Sequence, residues 1–82
     1  MSLQNLQQTL KAGGCNQADQ VILLIEECLR TGVAAGTDIV SAVAALGYNK
    51  QYVGLTLNQH TGSMPKQHYW FKTANGDYNL HE

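Results

Sequence analysis

Glycine punctuates this chain. Apolar patterns at helical spacing run into Gly13-Gly14, then Gly32, then Gly47, and a polar-faced stretch ends at Thr61-Gly62. Each stop limits the helix before it to a few turns. The last stretch, "HYWFKTANGDYNLH", has a different character. It is rich in aromatic residues and is divided by Asn75-Gly76, the strongest short signal for a β-hairpin turn. Short helices followed by a hairpin predict one small α+β domain. A chain of 82 residues buries only about 60–65% of its unfolded surface, so its core is modest and dimerisation would enlarge it. An apolar fraction of 44% is that of a folded protein and argues against disorder.

The periodicities assign the pieces. Leu3, Leu6 and Leu10 make a narrow stripe on a short first helix. That stripe either docks on the domain or pairs with a second copy. Asn16 is placed to cap the second helix, with Asp19 in its first turn, where negative charge suits the helix dipole. Ala18, Val21, Ile22, Ile25, Cys28 and Leu29 form its broad core stripe. Residues 33–36 read as a connector, and Thr37 as the cap of a third helix that buries Ile39, Ala42, Val43 and Leu46. Alanines 42, 44 and 45 keep this helix thin, so that a neighbour can approach. Asn49 caps a fourth helix running to about His60, and Tyr48 and Val53 are spaced as a hydrophobic staple.

If Asn75-Gly76 is a two-residue type I′ loop, Thr73 faces Tyr78 and Phe71 faces Leu80. Tyr69, Phe71, Tyr78 and Leu80 then lie on the core. Trp70, Lys72, Asn79 and His81 face outward, with Trp70 packing on the first helix or on a partner.

The net charge of −1 hides an uneven distribution. Residues 39–76 hold Lys50, Lys66 and Lys72 and no acid, while both flanks are net negative. An acid-free stretch of this kind suits a surface that meets phosphates.

Other classes find little support. No apolar run exceeds the five residues of Val21–Ile25, far short of the ~18 of a membrane span. The first ten residues have neither the charge nor the apolar block of a secretory leader. Cys15 and Cys28 form no CxxC pair. They read as reduced cytosolic thiols, with a Cys15–Cys28 or intermolecular disulfide as the alternative. His60, His68 and His81 lack metal-ligand spacing, and Glu26-Glu27 point apart on a helix. No GxSxG, P-loop or HExxH occurs. Neither an enzyme, a metal nor a cofactor is expected.

Two stretches, "TDIVSAVAALGYNKQYVGLTL" and "WFKTANGDYNL", in this order resemble the winged helix-turn-helix superfamily over residues 17–81. Gly47, Val53 and Leu57 match the turn and buried positions of its helix pair. Phe71, Gly76, Tyr78 and Leu80 match its wing. The resemblance implies a helical bundle with a two-stranded C-terminal wing over residues 15–82, preceded by an extra short helix in residues 1–14. It also implies a cytoplasmic, transcription-regulator-like protein that binds double-stranded DNA, with helix 49–61 in the major groove and hairpin 68–81 touching the backbone.

The residues can be tested on their own chemistry. Stepping 100° per residue puts Val53, Leu57 and His60 on the inner side of the fourth helix. Gln51, Leu55, Asn58 and Gln59 lie opposite, flanked by Tyr52. Amides can pair with adenine and a leucine can touch a thymine methyl. Asn49 and Lys50 sit at the helix start, where a phosphate would approach. Gly54 leaves room for a backbone or sugar. Lys66, Lys72 and Asn75 would reach phosphates from the loop and wing. Three lysines are few, so one copy would bind weakly unless a second copy, joined through the first helix, or another domain adds contacts. Leu55 beside Tyr52 equally suits a protein partner, and winged helices also serve as interaction or dimerisation modules.

Overall fold

In the computed structural model, which describes residues 3–62 and 70–80, each glycine-bounded stretch is a helix. The order is α1 (Leu3–Ala12), α2 (Gln17–Arg30), α3 (Gly36–Ala44), α4 (Lys50–Gln59), β1 (Trp70–Lys72) and β2 (Tyr78–Leu80). This is a small α+β arrangement, four helices and an antiparallel hairpin, compatible with a winged-helix layout.

The core gathers around α2, which packs on α1, α3, α4 and β2. The Asn16 side chain accepts from the Asp19 N–H at 2.8 Å and so caps the helix as expected. Val21, Leu24, Ile25 and Cys28 are fully buried with Ile39 and Val43 of α3 and Val53 and Leu57 of α4. The inner stripe of α2 is rotated from the expected one. Ala18 is exposed, Ile22 and Leu29 are half-buried, and Leu24 and Gln20 take inner places. The run Val21–Ile25 is apolar on every side, so periodicity alone could not centre the stripe. Both cysteines are free thiols. Among the described residues, no helix is long and apolar enough to cross a membrane.

Leu3, Leu6 and Leu10 pack half-buried against this core, so the α1 stripe is used within the chain. Between them lies a buried polar chain. The Gln7 side-chain amide donates to the Leu46 carbonyl and to the Tyr48 hydroxyl, both at 3.1 Å. That hydroxyl donates to Gln20 Oε1 at 2.6 Å, and Gln20 Nε2 donates to the Cys15 carbonyl at 2.7 Å. α1 and α2 are thereby tied to the turn that starts α4. Removing the hydroxyl takes one bond from each of two buried amides and leaves Gln20 Oε1 without its donor, so Tyr48→Phe is expected to cost about 1–3 kcal/mol of stability. Urea titration measures this. A variant as stable as the parent would mean that the chain of bonds carries no weight.

The start of α3 differs from expectation. Thr37 is exposed inside the helix and does not cap it. The capping position is Ala35, whose side chain makes no bond. The connector joins the hairpin instead: Ala35 bridges Asp77, and the Tyr78 N–H donates to the Ala34 carbonyl at 2.8 Å. An alanine pair lacks the β-branched alternation that marks a strand, so this pairing leaves no trace in the sequence.

The hairpin register is also corrected. The pairs are Trp70–Leu80, Phe71–Asn79 and Lys72–Tyr78, one residue out of step with the type I′ expectation. The Thr73 N–H donates to the Asp77 carbonyl at 2.7 Å and the Gly76 N–H to the Thr73 carbonyl at 3.0 Å. Ala74, Asn75 and Gly76 therefore form a three-residue loop, with Gly76 at φ +88° taking the left-handed conformation such loops need. A one-residue slip turns one strand over relative to the other: β2 keeps its expected faces, with Tyr78 buried and Asn79 exposed, and β1 is the strand that turns. Trp70, expected outside, is 0% exposed, and Phe71, expected inside, is half-buried beside exposed Asn79. The expected placements of Tyr69 inward and His81 outward fall outside the described residues.

Candidate nucleic-acid interface

α4 begins at a side-chain cap: the Tyr52 N–H donates to Asn49 Oδ1 at 3.1 Å. Its inner row is Val53, Thr56 and Leu57, all buried, with the Thr56 hydroxyl bonded to the Tyr52 carbonyl at 2.9 Å. The opposite row is open. Gln51, Leu55, Asn58 and Gln59 are exposed, and Tyr52 is half-buried at their flank. Leu55, 54% exposed, is the one large apolar side chain so open among the described residues. Asn49, Gln51, Tyr52, Gly54, Leu55 and Asn58 line a shallow depression on this face. Among the described residues, the side-chain amides of Gln51, Asn58 and Gln59 have no hydrogen-bond partner.

A second groove runs between α3 and α4. It is lined by Gly36, Thr37, Val40 and Ser41 of α3, by Lys50, Gly54, Leu57 and Asn58 of α4, and by Tyr78 of β2. Gly36 explains how Tyr78 fits there. A Cβ at residue 36 would stand 2.9 Å from Tyr78 Cε1, closer than side chains allow. The Lys72 ammonium lies 5.8 Å from the centroid of the same ring, within cation–π range. Of the sequence-predicted lysines, Lys50 lines the groove and Lys72 meets the ring of Tyr78, a residue that also lines it. Neither has an acidic partner among the described residues, where the ion pairs join Arg30 to Glu26 at 3.3 Å and to Glu27 at 3.4 Å on α2.

The hairpin is held against α4 by Trp70. Its Nε1–H is shared between the Leu57 carbonyl and the Thr61 hydroxyl, both at 2.9 Å. The His60 ring stands edge-on to it, 6.0 Å between centroids. Asn75 is exposed at the hairpin tip, and Lys66 lies outside the described residues. The perturbed acids and thiols are on α2. Burial pushes the Glu26 carboxyl up against the opposing pull of Arg30, and burial raises the Cys28 thiol.

The structure thus gathers Asn49, Gln51, Tyr52, Leu55 and Asn58 on one face and sets Thr37, Ser41 and Tyr78 in a groove with Lys50. The sequence reading missed those three, because nothing in their spacing links them. No protein-family model, curated protein or solved structure matches this chain.

Proposed function

We propose that this chain is a winged helix-turn-helix DNA-binding domain, cytoplasmic and regulatory. α4 lies in the major groove and the 70–80 hairpin forms part of the wing at the backbone. The observation that carries this reading is the outer row of α4: open, amide-bearing and free of acids, with Leu55 at its centre. Gln51, Asn58 and Gln59 can pair with base edges, and Leu55 can meet a thymine methyl. Asn49, Lys50, Lys66, Lys72 and Asn75 serve the phosphates.

The exposure of Leu55 beside Tyr52 favours a second reading, a protein-interaction module on the same face. Fluorescence anisotropy of the purified chain against random duplexes, at ~50 mM salt, separates the two. The DNA reading expects binding that Lys50→Glu weakens strongly. The interaction reading expects no duplex binding, and a partner lost on Leu55→Asp. Absence of binding at low salt overturns the first.

A further inference from the structure

The fold itself does not require a glycine at position 54 of α4. Its φ is not positive, so the backbone does not require glycine. A Cβ built there meets nothing within 4 Å, so packing does not require it either. Glycine inside a helix is among the least favourable choices, and alanine would stabilise α4. Its position is also distinctive. Gly54 lines both the depression on the outer face and the groove between α3 and α4, one turn from Lys50 on one side and from Asn58 on the other.

We infer that Gly54 is a clearance residue: its bare Cα lets one sugar–phosphate strand of a DNA duplex seat against α4, between Lys50 and Asn58 and facing Thr37 and Ser41. This deepens, and rests on, the DNA-binding reading above. The groove suits that occupant by charge and chemistry. It carries a lysine and no acid, and two hydroxyls and an amide that can donate to phosphate oxygens. A side chain at 54 would hold the strand off those donors.

The test compares Gly54→Ala and Gly54→Leu with the parent chain, measuring melting temperature and anisotropy with a random duplex at ~50 mM salt. Gly54→Ala is expected to raise the melting temperature by roughly 2–6 °C and to weaken duplex binding about tenfold, with a larger loss for Gly54→Leu. Stability and affinity moving in opposite directions is a result that a structural role for Gly54 does not produce. If the parent binds duplex and Gly54→Ala binds equally well, the clearance role falls while the DNA reading stands. A drop in both stability and affinity also overturns it. If the parent binds no duplex, both fall, and a protein partner becomes the occupant to test.

Discussion

Trp70→Ala is expected to cost about 3–5 kcal/mol of folding stability, near the upper end for a single core truncation. The indole is fully buried, and its N–H is divided between two oxygens at the end of α4. Truncation removes the apolar contacts, leaves a cavity and deletes the donor that fixes β1 against Leu57 and Thr61. Small domains hold only about 5–15 kcal/mol in total, so the variant should lose a large fraction of its stability and melt well below the parent. Trp70→Phe keeps most of the volume and loses the N–H, at a cost of about 1–2 kcal/mol. Trp70 is the only tryptophan of the chain, so parent and Phe variant need separate probes: indole fluorescence for the parent, far-UV circular dichroism in urea for both variants. An alanine variant within about 1 kcal/mol of the parent would mean that the hairpin is not anchored through this residue.

The second large effect concerns ligand binding and follows from the proposed function. If Lys50, Lys66 and Lys72 each neutralise one phosphate, log K falls against log salt with a slope of about −2.7. Raising salt from ~50 to ~200 mM should then weaken duplex binding about 40-fold. Lys50→Gln removes one counterion-releasing contact. The same salt step should then cost only about 12-fold, although affinity at low salt is lower from the outset. The slope is the informative quantity, because a general loss of folding would reduce affinity at every salt concentration alike. Binding that persists with a slope near zero would remove the phosphates from the interface and favour an apolar contact centred on Leu55.

The helices are legible in the residues because their ends carry local chemistry. Asn16 and Asn49 accept the backbone N–H three residues on, as their types imply. Val53 and Leu57 fall inward while Gln51, Leu55 and Asn58 fall outward, as the helical period requires. The hairpin is legible as a hairpin but not in its register. Asn75-Gly76 is a local preference for a two-residue loop, worth little beside the burial of an indole with its N–H satisfied. The three-residue loop turns Trp70 inward and leaves Gly76 the left-handed position. The contribution of Gln7 is invisible for a similar reason. A glutamine on a Gln-rich first helix reads as solvated until Leu46 and Tyr48, some forty positions away, supply its partners. The groove between α3 and α4 has no local signature at all, since its lining comes from two helices and the far strand.

The hydrogen-bonded chain through Gln7, Tyr48 and Gln20 bears on how this protein can be cut and joined. A shortened chain beginning after Gly14 would lose the brace on the turn that aims α4, along with the leucines covering the core. The first helix is thus part of the gun mount rather than luggage: any fusion meant to keep α4 in its present orientation must bring residues 3–12 with it, or accept a barrel that no longer points the same way.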